Sequence, residues 1–294
     1  IIAIPTRKGS CFMRKRISFI SVLTMFLAIG FAIIFSIPVK ATANGVQLKA
    51  NRTYVAYDIT GDGMKDKIRI RAANQTDDEA YSSLTVSVNG KTAYRLKNTR
   101  FYNVIVNIYT LKNGQPFLYL YAPADNGDGP VCALLKYTNG KFRKILDFTE
   151  IMAGYGDHRI GEVTNLNGNK IVITESIVSY SLGINAINFT YEYVNGKFVP
   201  TSRYGSYKEI YSADGSSRHF TVSSDLPAYT RPGATAVNTT LKTGSLTKII
   251  KCALINGKMY IQLECDGEIY WIKALENPPI ADNERQFMEV RYAG

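Results

Sequence analysis

Beyond residue 43 the apolar side chains recur in short alternating runs, as in Leu84-Thr85-Val86-Ser87-Val88 and over 104–108, 117–121, 170–174 and 187–193. A period of two sends successive side chains to opposite faces of a pleated strand, so each run predicts a strand with one face turned to a core. No stretch after residue 43 sustains the recurrence of an amphipathic helix. The many Tyr, Ile, Val and Thr residues suit half-buried pleated surfaces. The pattern therefore predicts an all-β protein.

The turns between these runs carry a weak repeat. Val88-Asn89-Gly90-Lys91, Thr138-Asn139-Gly140-Lys141-Phe142 and Val194-Asn195-Gly196-Lys197-Phe198 recur at spacings of 50 and then 56 residues. Asn-Gly between alternating runs is a hairpin signal. Each turn would close a unit of about four strands, the size of one propeller blade or one repeat of a β-array. Three such units fit between residue 51 and about residue 203. Propellers are typically built from four or more blades, so three predict a propeller-like or open array, or a distorted sandwich. The alternative is that Asn-Gly-Lys is simply a favoured turn. Gly and Ser then become frequent over 204–220, which reads as a linker, and residues 221–294 form a compact block with strands of their own. The division expected is 1–43, 44–203, 204–220 and 221–294.

The first 43 residues contain no Asp or Glu and carry six basic residues around an apolar run over 17–37. Pro38 ends the run, and Ala41-Thr42-Ala43 follows it. Basic, apolar, then small is the order of an export signal. The same run is long enough to be an uncleaved membrane anchor. Either reading puts the remainder outside the cytoplasm, secreted or at the cell surface, with membrane contact only through this segment. Met13, just before Arg14-Lys15-Arg16, is a plausible start, which makes residues 1–12 an upstream extension. The formal charge of +11 falls to +5 for residues 44–294 once the six leading basic residues are removed. No Lys/Arg stripe remains, so nucleic acid is not an expected partner. Of the four cysteines Cys11 falls in the leading segment, and Cys132, Cys252 and Cys265 beyond it are an odd set, which argues against a disulfide framework. A two-residue turn at Asn256-Gly257 would set Cys252 opposite Ile261 and Cys265 opposite Lys248, too far out of register to bond.

Asp58-Ile59-Thr60-Gly61-Asp62-Gly63-Met64-Lys65-Asp66 is the sharpest local chemistry. Alternating oxygen-bearing side chains can curl around one hard cation, and the glycines permit the tight turn. Side chains of Asp58, Thr60, Asp62 and Asp66, with the Met64 carbonyl, would supply the ligands. The loop and its flanking strands resemble the calcium loop of the extracellular VCBS or FG-GAP repeats, relatives of the integrin propeller repeat. That resemblance implies one calcium ion. Thr60 stands where the family usually has Asn or Asp, which lowers the charge and implies weaker binding, about 10⁻⁴–10⁻³ M. An Asp/Gly hairpin loop closed without metal is the plainer reading of the same residues. Asp125-Asn126-Gly127-Asp128-Gly129 looks like a degenerate copy without its outer ligands.

In the C-terminal block, Leu226-Pro227-Ala228-Tyr229-Thr230-Arg231-Pro232-Gly233, Leu241-Lys242-Thr243-Gly244-Ser245-Leu246 and Gly267-Glu268-Ile269-Tyr270-Trp271-Ile272-Lys273 resemble bacterial SH3-like domains over about 221–275. The resemblance implies a small barrel that interacts with wall peptides or protein segments. Tyr229, Tyr260 and Trp271 are then candidates to face a ligand groove, against ordinary packing as the alternative.

Catalytic constellations are not evident. His158 and His219 lie in different units, and His158, between Asp157 and Arg159 near glycines, reads as part of a solvated loop. Cys132 falls within a strand, without a helix N-terminus to lower its pKa. No nucleophile elbow, P-loop or zinc-helix pattern is present. The sequence thus points to an exported, non-catalytic binding or scaffold protein of the bacterial cell envelope, with cell-wall peptide or a surface protein as partner. The alternative is a wall peptide or glycan hydrolase whose site only the fold assembles.

Overall fold

The computed structural model describes residues 41–292 apart from 43, 44, 211, 214 and 216. The segment 1–43 expected to direct export lies outside the described residues except for Ala41–Thr42. All regular structure described is antiparallel β, save three short 3₁₀ turns, so the chain is all-β.

Ala41–Thr42 (β1) pairs with Gly45–Leu48 (β2). Arg52–Tyr57 (β3), Asp66–Ala73 (β4), Tyr81–Val88 (β5) and Lys91–Phe101 (β6) form one four-stranded meander. Ile105–Thr110 (β7), Pro116–Ala122 (β8), Val131–Thr138 (β9) and Lys141–Asp147 (β10) form a second, which β2 and β1 extend along β7. Gly156–Asn167 (β11), Lys170–Ser179 (β12), Gly183–Val194 (β13) and Lys197–Pro200 (β14) form a third. In all three an Asn-Gly pair joins the third strand to the fourth. Asn89, Asn139 and Asn195 have φ of 50, 51 and 49°, and the glycines after them 80, 79 and 84°. Two successive left-handed residues make a turn whose twist matches that of the strands it joins. The spaced repeat falls at the same topological position in the three meanders, and Asn256-Gly257-Lys258 makes the same turn outside them.

The second meander lies between the other two. Along β8, Phe117, Tyr119 and Tyr121 join Cys132 and Leu134 of β9 in a core shared with Ile171, Ile173, Ile187 and Phe189 of the third meander. Leu118, Leu120 and Ala122 face the opposite way, into a core with Ile68, Ile70, Leu84 and Val86 of the first. A strand buried on both faces reads as a continuous apolar run, as this one does. Leu118 and Leu120 are wholly buried, and each such side chain contributes about 1.5–3 kcal/mol.

The stretch expected to be a linker is instead structured. Tyr204–Ile210 (β15) pairs with β13 on one side and with Leu246–Ile255 (β19) on the other, and His219–Thr221 (β16) also pairs with β19. Gly205 owes its place to close approach: a Cβ there would lie 2.5 Å from the Phe189 ring and 2.7 Å from Ile187. Glycine here serves contact, not flexibility. With Lys258–Cys265 (β20) and Glu268–Lys273 (β21), these strands continue the third meander into a nine-stranded sheet. Leu226–Ala228 (β17) and Thr239–Leu241 (β18) form a separate pair. Among the described residues no sheet closes into a barrel, including the strands over 221–275 expected to form a small one.

The Asn256-Gly257 turn sets Cys252 opposite Ile261 as its length requires, but Cys265 faces Thr247 rather than Lys248. A bulge at Ile250, between Ile249 and Lys251, absorbs one residue, and the face turned inward shifts with it. Cys132, Cys252 and Cys265 are all buried thiols. The tail does not trail away: Phe287 is wholly buried and bridges to Val222, and the Ile184 N–H donates to the Arg291 carbonyl at 2.9 Å.

Candidate functional site

The loop after β3 closes on its own carboxylates. Asp58 Oδ1 accepts the N–H groups of Gly61 (2.6 Å) and Asp62 (3.1 Å), and Oδ2 accepts that of Gly63 (2.8 Å). Desolvation raises the Asp58 pKa, but these donors outweigh it and hold the carboxyl below its ordinary value. Asp66 Oδ2 accepts the N–H groups of Ile59 and Thr60 at 2.6 and 2.8 Å. Of the five expected calcium ligands, Asp58, Thr60 and Asp66 converge, since Thr60 Oγ1 is 3.5 and 3.2 Å from their carboxylates. Asp62 instead accepts the Met64 N–H at 2.8 Å. Among the described residues no group of three or more His, Cys, Asp or Glu side chains stands close enough to hold a metal ion. Oxygen chemistry thus suits calcium, while the geometry shown meets the loop's needs with backbone donors.

This loop borders a larger feature. Consecutive antiparallel strands bring the β3–β4, β7–β8 and β11–β12 connections to one rim of the three meanders. A groove of about 570 Å³ there is lined by residues 58–61, 113–116 and 136–139. A second, of about 490 Å³, is lined by Lys112, Asn113, Asn167, Asn169, Lys170 and Glu192. Asn113 belongs to both. The Lys112 N–H donates to the Gly168 carbonyl at 3.1 Å and ties the second meander's loop to the third meander's turn. Lys136 Nζ, at the first groove, reaches the Tyr193 hydroxyl at 2.9 Å. Sequence reading did not find this rim, because its residues are ordinary turn formers that only stacking aligns.

The three aromatic groove candidates do come together. Tyr260 and Trp271 form a small cluster with Ala253, flanked by the half-buried Tyr204, Tyr229 and Ile255. Tyr229 and Trp271 exchange backbone hydrogen bonds of 2.8 and 2.9 Å. Trp271 is 4% and Tyr260 8% exposed, so both rings serve mainly in packing. Tyr204, in the stretch read as linker, completes the patch: Lys251 Nζ is 4.6 Å and Arg203 Cζ 5.2 Å from its ring centre. Such contacts contribute about 0.5–1 kcal/mol at exposed sites.

One buried pair escaped the sequence. His158 is not in a solvated loop but in β11, its side chain 16% exposed, with Nε2 3.2 Å from Oε2 of Glu175. Glu175 faces inward because it follows Ile171 and Ile173 and precedes Ile177 on one face of β12. Opposite it stands Gly161, where a Cβ would meet Glu175 Oε1 at 2.5 Å. Tyr119 donates to the Gly161 carbonyl at 2.6 Å, and Cys132 Sγ lies 3.4 Å from the Gly161 nitrogen. Among the described residues, neither Glu175 oxygen has a hydrogen-bond partner. Burial, reinforced by Asp147, pushes the Glu175 carboxyl well above its ordinary value, while burial lowers His158 despite Asp147 and Asp128. Burial also pushes the Cys132 thiol up to about 12, so it is no nucleophile at neutral pH. A single carboxyl at 175, in the apolar alternation of 171, 173 and 177, was the signal available. Neither groove on the rim is lined by this pair.

Comparison with protein-family models, with curated proteins and with solved structures gives no match to this chain.

Proposed function

We propose that this is an exported, non-catalytic binding or scaffold protein of the bacterial cell envelope, which engages cell wall or a surface protein. The observation that carries this reading is the rim: equivalent loops of three stacked meanders line open polar grooves, on a frame whose central sheet is buried on both faces. A rigid frame with polar loops suits recognition of a large partner better than enclosure of a small reactant. The half-exposed Tyr204 and Tyr229 beside Arg203 and Lys251 offer a second contact surface for an anionic wall. The test is to incubate the purified chain with isolated cell walls. Co-sedimentation without released fragments supports the proposal; catalytic release of fragments overturns it.

A wall hydrolase is the second reading, and His158 with Glu175 is the observation in its favour. An acid and a base in contact are the parts of proton transfer. For that reading, Glu175→Gln must abolish fragment release while leaving wall binding intact.

A further inference from the structure

We propose that the two rim grooves form one track for an extended amino-sugar polymer, a chain of rings bearing hydroxyl, acetamide and carboxylate groups. This rests on the envelope reading and names what the rim would take there. Each groove alone falls within the range of about 300–1,000 Å³ usual for one small ligand. They meet at Asn113, so a ligand that fills both must be longer than one ring and follow the rim from the first meander to the third.

The chemistry of the lining selects the class. The second groove has no apolar lining residue, and the first has only Ile59, Pro116 and the Tyr137 ring. Peptide side chains that need apolar pockets find none in the second groove. Asn113, Gln115, Asn139, Asn167 and Asn169 instead present side-chain amides, each combining donors with an acceptor. That pairing matches hydroxyls and acetamides. Two of these amides are already oriented. Asn113 Oδ1 accepts the Gln115 N–H at 3.0 Å and so offers its NH₂, while Gln115 Nε2 donates to the Pro116 carbonyl at 3.1 Å and offers its oxygen. The Tyr137 ring packs edge-on to Phe142, with centroids 5.4 Å apart, and gives the first groove a fixed flat surface for a sugar ring. Lys112 and Lys170 outnumber Glu192 in the second groove, which favours a carboxylate there.

The test is calorimetric titration of the purified chain with N-acetylglucosamine oligomers of increasing length, and with wall glycan strands freed of peptide. Affinity is expected to rise about tenfold from dimer to hexamer as the second groove is engaged. Asn113→Ala weakens both probes. Lys170→Glu, which leaves the shared loop intact, weakens the carboxylate-bearing strands more than the neutral oligomers. No binding, binding independent of length, or binding of wall peptide in place of glycan overturns the inference. Two failures are told apart by whole walls: if walls bind and glycan strands do not, the track falls and the envelope reading stands. If strands bind and walls do not, the reverse holds.

Discussion

Asp66 and Glu175 are each 1% exposed, yet they are held in opposite ways. Asp66 accepts two backbone N–H groups, the Thr60 hydroxyl and, at 2.6 Å, the side-chain amide of Asn89. Asn89 in turn accepts the Lys67 N–H at 2.8 Å, so one carboxylate clamps both turns at that end of the first meander. Among the described residues, the polar group that Glu175 meets is the imidazole of His158. The contrast teaches that depth does not decide what a buried carboxyl does for a fold. The number of donors aimed at it does.

The largest expected effect comes from breaking the satisfied member. Asp66→Ala strands the buried N–H of Ile59 and releases the Thr60 N–H and the Asn89 amide to water, and it lowers stability by about 1–3 kcal/mol. Urea unfolding measures this, and a loss below about 1 kcal/mol would show the loop to be independent of its clamp.

Glu175→Gln should act the other way. The native pKa of Glu175 lies above its ordinary 4.5, so its stabilisation is complete below that pH and is lost as pH rises through the native value. Gln keeps the shape without the charge, and the variant should melt higher than the wild type at pH 9, by about 1–2 kcal/mol, with the difference vanishing near pH 4. Equal melting curves at both pH values would mean that Glu175 finds donors as it ionises.

His158 should contribute a weaker slope of opposite sign. Its native pKa is below 6.5, so its contribution is present above that pH and fades as pH falls through the native value. In His158→Gln that part of the acid loss should be missing from a pH series of melts; an unchanged acid limb refutes it. Calcium should have the smallest effect. If the loop takes the ion at the expense of the Asp62 contact with Met64, calcium at its dissociation constant adds about 0.4 kcal/mol, and Asp62→Ala removes the gain. A melt indifferent to calcium and EDTA leaves the loop closed by backbone donors alone.

Strand class was legible because alternation is local, and so were the hairpins that Asn-Gly turns close. Residues 84–88 and 117–121 could be assigned to strands without knowing what covered them. What was illegible depends on partners distant in the chain. Gly205 reads as linker until Phe189 is seen against it, and His158 reads as loop until Glu175 is placed across from Gly161. The bulge at Ile250 had no local signature, so the Cys265 register was displaced by one residue. The resemblance to SH3-like domains singled out Tyr229, Tyr260 and Trp271, but only the pairing of β15 with β19 adds Tyr204 to them.

The pairing of β2 with β7 sets Val46 opposite Ile108 across the entire first meander. In kinetic terms the two kinds of strand contact differ sharply. Hairpins within each meander close over a few residues and form early, whereas this seam must gather a long intervening loop before its first bond is made. The central layer therefore has a late-arriving strand, and a chain leaving the ribosome N-terminus first must keep the side of β2 that meets β7 waiting until β7 has emerged.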